Sequence, residues 1–363
     1  MIRRYYEYLL ESSSGIDLKY LALDWDDNIL HMPTFIHLDH LVDGEWVHEP
    51  VSTAKFATVR NDKVNWRYRE DSFSEFRDFG PRGETAFLED TISAINSGDL
   101  GPSWDAFIEY LSQGTIFAII TARGHEPNAI KMAVEYIIDN ILTENQKHSL
   151  YAHCLKFAYL FGANLSYDSY DRIPRGQLSK TKLIKDYLNS CDYYGVSSNF
   201  CIEKFGLGDA GNPEKGKEMA IKEFTKQVNE FGQKIGAKSV SLGFSDDDIK
   251  NVKHIEKLFR DELSLKYLIN YNIYDTSKRE IKGGVRTKID PQVVESTTSW
   301  GNGAGTWGTD SSVLPFTKWN NMTQNLYPNS KDFSNDDYHN QFKNQIGQLK
   351  DLTVGVDKKK HKR

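Results

Sequence analysis

Three short apolar runs organise this chain, and each ends abruptly in polar residues. Tyr20-Leu-Ala-Leu runs into Asp24-Trp-Asp26-Asp27-Asn28. Ile116-Phe-Ala-Ile-Ile120 stops at Thr121-Ala-Arg123-Gly-His125. Ser239-Val-Ser-Leu-Gly-Phe244 stops at Ser245-Asp246-Asp247-Asp248. Apolar runs without alternation predict strands buried on both faces, as in a parallel sheet flanked by helices. Helical spacing fills the intervals. The pattern predicts helices over Ala86–Ile95, Trp104–Leu111 and from Pro127, with Ile130, Val134, Ile137, Ile138 and Ile141 on one face. It predicts further helices through Leu150, Cys154, Phe157 and Phe161, over Lys180–Leu188, through Ala220, Phe224, Val228 and Phe231, and through Ile249, Val252, Ile255 and Phe259. Pro127 suits a first helical turn, where its missing N–H is not needed. Tyr267–Tyr274 predicts a strand, and Phe200–Phe205 a third strand of the sheet. The fold class is therefore α/β.

The interval between Asp24 and Thr121 is far longer than one crossover helix requires, so residues 29–99 form an insertion. Val51–Arg60 and Lys63–Tyr68, separated by Asn61-Asp62, predict a β-hairpin within it. One reading is a β-extension packed beside the core. Residues about 143–197 predict a second, helical insertion, including a polar loop over 164–177. Residues 1–28 and 100–290 then make the core, with a helical lead-in over residues 2–11. From residue 291 to 363 the pattern fades into a Gly-, Ser- and Thr-rich extended tail. Trp300, Trp307 and Trp319 give that tail a means of anchoring to the core or to a protein partner. Its end, Lys358–Arg363, is basic.

Composition narrows the setting. A net charge of −6 argues against a general nucleic-acid coat. No apolar run approaches the roughly 20 residues that span a bilayer, and the first residues lack a signal-peptide core. Cys154, Cys191 and Cys201 give neither a disulfide framework nor a zinc pattern. A cytoplasmic, reducing setting without membrane contact is expected, free or within a larger assembly.

The chemistry lies at the three strand ends. Carboxylates at the carboxyl end of a buried strand sit where open α/β sheets bind ligands. Their mutual repulsion calls for a hard divalent cation; the alternative is a solvated acidic turn. The ordered set of Asp24-x-Asp26, Thr121, a lysine and Asp246-Asp247 resembles the haloacid dehalogenase-like hydrolase superfamily. Lys217 or Lys215 is the candidate lysine; Lys180 and Lys182 are more distant rivals. The resemblance implies a Rossmannoid core and a cap-type insertion. It implies a Mg²⁺-dependent phosphatase with Asp24 as nucleophile and Asp26 as general acid and base. Thr121 and the lysine would hold phosphoryl oxygens. Asp24, the Asp26 carbonyl and Asp246 or Asp247 would hold the ion. The substrate would be a phosphorylated small molecule or a nucleic-acid end. Asp27 and Asn28 depart from the Gly-Thr or Gly-Val that usually follows the second acid, which puts activity or specificity in question while leaving the proposed nucleophile and acid in place. Asn251 is placed to steady the acidic loop, His125 to cap a helix at the surface or touch substrate, and Asp209 is a minor rival metal ligand. A protein that keeps the fold for structure or assembly, with little or no catalysis, is the competing reading. Trp66, Arg67, Tyr68 and Arg69 suggest a third, a nucleic-acid strand path.

Overall fold

The computed structural model describes residues 17–78, 82–161, 180–208, 212–278 and 281–292. The expected N-terminal helix, the loop over 164–177, Asp209 and residues 293–363 of the tail lie outside them. In chain order the strands are β1 (Asp17–Leu23), β2 (Ile36–Val42), β3 (Glu45–Val51), β4 (Trp66–Tyr68), β5 (Phe117–Thr121), β6 (Asp192–Gly195), β7 (Ser239–Asp246), β8 (Asn270–Asp275) and β9 (Val285–Ile289). The helices used below are α1 (Thr53–Val59), α2 (Ala86–Ser97), α3 (Trp104–Ser112), α4 (Pro127–Asn140), α5 (Glu144–Phe161), α6 (Lys180–Asn189), α7 (Asn199–Phe205), α8 (Pro213–Ile235) and α9 (Ile249–Leu258).

Six strands form one sheet in the order β6-β5-β1-β7-β8-β9. All neighbours are parallel except β9, which returns antiparallel to β8. Successive residues of β1 point to opposite faces. Leu21 and Leu23 join Phe117, Ile119, Phe87, Phe107 and Ile130 in one core. Tyr20 and Ala22 join Ala118, Ile120, Phe224, Phe244 and Ile255 in the other. Burial on both faces is why these strands read as unbroken apolar runs. The register sets Leu23 opposite both Ser245 and Ile119, which brings the carboxyl ends of β1, β7 and β5 level.

The insertion carries its own antiparallel sheet, ordered β3-β2-β4. Here the structure corrects the sequence reading. Val51 ends β3, and the rest of the Val51–Arg60 run is not a strand: Ser52 accepts a hydrogen bond from the Lys55 amide at 3.2 Å and starts α1. Phe56 and Val59, one turn apart, pack α1 on Ile36, Leu38, Val51 and Trp66. The hairpin instead joins β2 to β3 through Asp43-Gly44, both with positive φ (54° and 85°). That backbone matches a two-residue turn between twisted strands.

A second correction concerns the third strand. Phe200–Phe205 lies within α7, which Ser198 caps through the Cys201 amide at 3.2 Å. The edge strand is β6, so the helical insertion ends at α6 and not at residue 197. β6 escaped notice because it has only four residues. Among the described residues no helix is long and apolar enough to cross a membrane.

Gly101 lets the insertion return against the loop after β1. Its amide donates to the Ile29 carbonyl at 2.9 Å. A Cβ there would stand 2.4 Å from the Asn28 carbonyl oxygen. Gly101→Ala should therefore cost about 1–3 kcal/mol of stability, the usual scale for overpacking. Denaturant midpoints check this; an unchanged midpoint means that the Asn28 turn yields freely.

Candidate functional site

Asp24 directly follows β1, and its amide donates to the Ser245 carbonyl at 2.9 Å. That bond prolongs the β1–β7 ladder by one step and carries the Asp24 carboxylate to the end of β7. Oxygens of Asp24, Asp246 and Asp247 there lie within 4.8 Å of one another. Asp24 and Asp246 are buried, and Asp247 is half-buried. Lys217, buried on the second turn of α8, reaches between two of them. Its Nζ stands 2.9 Å from Asp24 Oδ2 and 2.7 Å from Asp246 Oδ2. Asp246 also accepts from the Asp248 amide at 2.9 Å and from Asn251 at 3.2 Å to each oxygen. Asn251 thus steadies the acidic loop, as its position one turn into α9 suggests.

Three carboxylates face one ammonium. Burial, together with Asp246 and Asp26, raises the Asp24 carboxyl well above the ordinary carboxylate value despite Lys217. Burial and the charges of Asp24, Asp246 and Asp27 push Asp247 up to about 9. Lys217 is held above its ordinary value by Asp24 and Asp246, which outweigh its own burial. The donor set is all oxygen and short of positive charge. It fits a hard divalent cation, which would sit among Asp24, Asp246 and Asp247.

The Asp26 carboxylate faces elsewhere. Arg123 grips it from two nitrogens: Nε lies 2.8 Å and 3.0 Å from its two oxygens, and one terminal nitrogen lies 2.6 Å from Oδ1. The Thr121 hydroxyl donates to Oδ2 at 3.1 Å. Arg123 is itself buried between the rings of Phe76 and Phe87, and it donates to Thr34 at 2.7 Å. Its remaining nitrogen, Nη1, is buried without a partner. Arg123 was legible only as part of the run after Thr121. Its partner is remote in sequence, so no spacing rule could assign it.

Asn28 and Asp27, the two departures, both have structural work. The Asn28 amide donates to the carbonyls of Asp24 and Ser245 at 3.0 Å and 3.2 Å. Its oxygen accepts from Ser103, Ser245 and Thr276 at 2.8, 3.0 and 2.8 Å. One side chain so ties the ends of β1, β7 and β8 to the start of α3. Asp27 has a φ of 55°, a left-handed conformation that Asp tolerates better than most residues. The chain reversal after the acids is kept, and the Asp27 carboxylate is spent on His31 at 2.6 Å and Thr53 at 2.7 Å.

The other candidates separate clearly. Lys215 lies on the exposed side of α8 and pairs with Glu218 at 2.9 Å, so it is not the lysine at the acids. Lys182 pairs with Asp186 on α6, and Lys180 lies over the Tyr151 ring. His125 is no surface cap. It is fully buried against Phe87, and burial with the Arg123 and Arg82 charges lowers it to about 3.

Besides Thr34, Phe76 and Phe87 around Arg123, the insertion meets this site through further bonds. Thr53 of α1 reaches Asp27, as above. Arg60, just past α1, pairs with Asp248 at 3.0 Å. Further on, the Gly124 amide donates to the Phe76 carbonyl at 2.9 Å, and the Glu126 amide to Asp78 at 2.6 Å. Comparison with models of known families, with curated proteins and with solved structures gives no match to this chain.

The raised carboxyls set a pH dependence. The folded protein holds protons on Asp24 and Asp247 that the unfolded chain has released, so stability falls as pH rises. The window runs from the ordinary value of 3.8 to about 9. In chelator, the melting temperature should drop between pH 5.5 and pH 8.5. A divalent cation should restore more of it at the higher pH. Asp247→Asn should flatten both responses; thermal melts of the two proteins decide.

Proposed function

We propose that this protein is a Mg²⁺-dependent phosphohydrolase of the haloacid dehalogenase-like kind, with Asp24 as nucleophile. The observation that carries the reading is the contact set of Asp24. Its carboxylate is bound to a buried ammonium and lies within ligand distance of two further carboxylates, at the carboxyl end of a central parallel strand. The central position of β1, flanked by the Thr121 strand and the Asp246 strand, supports the Rossmannoid form of the fold. It also explains how residues so far apart in sequence share one rim.

Phosphate esters resist nucleophiles because negative charge shields phosphorus; catalysis rests on neutralising that charge and aligning the attack. Asp24, Asp246 and Asp247, with the Asp26 backbone carbonyl, would hold Mg²⁺, which supplies part of that neutralisation. A carboxylate oxygen of Asp24 attacks phosphorus, the bond to the leaving oxygen breaks, and an aspartyl phosphate forms. Lys217 offers its positive charge to the incoming phosphoryl oxygens. Water then attacks the phosphorus, inorganic phosphate leaves, and the Asp24 carboxylate is restored. For Asp26 to protonate the leaving oxygen, its carboxylate has to turn away from Arg123 and Thr121.

That last requirement favours a second reading. Both oxygens of Asp26 are engaged, which suits a protein that keeps the acidic site for structure or assembly, with the tail, residues 291–363, as a partner-binding arm. One comparison separates the two. With p-nitrophenyl phosphate, the wild type should release phosphate in Mg²⁺ and stop in chelator. Asp24→Asn should lower kcat by at least about 10³-fold, the scale on which loss of a nucleophile is felt. Equal turnover in both removes Asp24 from its role. No turnover in either, with cation-dependent melting intact, supports the assembly reading.

A further inference from the structure

Helix α1 is held at both of its ends to the loops that carry the acidic site. Thr53 and Arg60 face the same way, seven residues apart, and each ends on a carboxylate of the core: Asp27 at 2.7 Å and Asp248 at 3.0 Å. These acids directly follow Asp26 and Asp247. Phe56 lies between Thr53 and Arg60 along the helix, three residues from one and four from the other, and so near the same side. Its ring meets Phe73 at 5.8 Å and Tyr68 at 6.2 Å, and those two rings are 6.0 Å apart. Phe73 in turn meets Phe76 at 6.1 Å. Phe76 lies 4.4 Å from the Arg123 guanidinium, which holds Asp26. An aromatic border therefore runs from the Asp27 and Asp248 side of the site to the Arg123 side.

The outer members of this border are not core residues. Phe56 and Phe76 pack on Ile36, Leu38, Val51 and Trp66, but Phe73 and Tyr68 do not join that cluster. Phe73 is 39% and Tyr68 47% exposed. These two large, partly exposed rings are tilted 33° to each other, and Lys63 Nζ stands 4.5 Å from the Tyr68 centroid. Through Phe76 and Arg123 they connect to Asp26, and they offer aromatic surface to a planar group. Charge decides what kind of ligand fits. Between residues 29 and 99, carboxylates outnumber Lys and Arg by 13 to 7. Lys55 is paired with Glu49, Arg67 with Asp39, and Arg69 with Asp39 and Asp71, while Lys63 stands over the Tyr68 ring as a single cation. These pairings leave poor support for a polyanionic strand, which needs a row of cations along its backbone. A single phosphate carrying one flat ring system needs no such row.

We propose that Phe73 and Tyr68, backed by Phe56, form a stacking platform for the base of a nucleoside monophosphate whose phosphate enters the Asp24 site. The inference rests on the phosphohydrolase reading for its reaction, but its recognition step is testable alone. The full chain and its Phe73→Ala and Tyr68→Ala variants are assayed in Mg²⁺ with adenosine 5′-monophosphate and with glycerol 3-phosphate, which has no ring. The wild type should prefer the nucleotide. Each variant should lower the ratio of the two kcat/KM values about 10-fold, the range seen when one base-stacking side chain is removed. Phe73→Trp should restore it. Binding of the nucleotide without turnover, by calorimetry, should weaken by the same factor in Phe73→Ala. Equal binding by wild type and Phe73→Ala overturns the platform, whatever the turnover. A phosphorylated oligonucleotide preferred to the mononucleotide, with steep salt dependence, overturns the choice of ligand. Ring-dependent binding without hydrolysis of either ester would instead retain the platform and remove the phosphohydrolase reading.

Discussion

Like charges pressed together at the end of a buried sheet are the constraint on which the site depends. Asp24 and Asp246 cannot separate, because the β1–β7 pairing fixes their spacing, and water cannot screen them well, because both are buried. Lys217 answers part of the repulsion by touching both. Asn251 and the Asp248 amide answer more of it by satisfying the Asp246 oxygens. The remainder is a standing demand for positive charge. Desolvated like-charged carboxylates are unfavourable unless a cation or protons balance them. The same demand explains why a long helix is built behind the site: α8 presents the ammonium from its buried face, with Ala220, Phe224 and Val228 fixing that face against the sheet.

The sheet was largely legible in sequence because burial on both faces leaves a signature that no surface strand shares. Tyr20–Leu23, Phe117–Ile120 and Val240–Phe244 needed no partner to be recognised. Helices with wide apolar stripes, such as α4 and α8, were legible for the same reason. What escaped was decided by contacts between segments or by a single cap. Thr53–Val59 carries β-branched residues at both ends, yet Ser52 and the spacing of Phe56 and Val59 turn it into a helix. The four-residue β6 is too short for periodicity to mark. Asp24, Thr121, Asp246 and Asp247 could be picked out because each stands where an apolar run ends. The hold of Arg123 on Asp26 could not, since nothing near either residue in sequence announces the other.

Asn28 shows how a departure from a pattern can be misjudged from sequence. Beside three acids it reads as a polar intrusion into a motif. In the fold it is a fully buried hub, satisfying two carbonyls and three hydroxyls at the meeting point of three strands and a helix. A hydroxyl there could not make both sets of bonds, because the amide supplies two donors and an acceptor in one plane. Asp27 likewise trades the freedom of glycine for a link between the core and α1.

The attachments of the insertion have a mechanical consequence. Thr53 on Asp27, Arg60 on Asp248, Thr34 on Arg123, and the Phe76–Asp78 segment on Gly124 and Glu126 come from separate stretches of it. A swing of the whole element as one body would have to break all of these bonds together, whereas a single side chain turning about its own χ angles breaks one at a time, on the much faster timescale of rotamers.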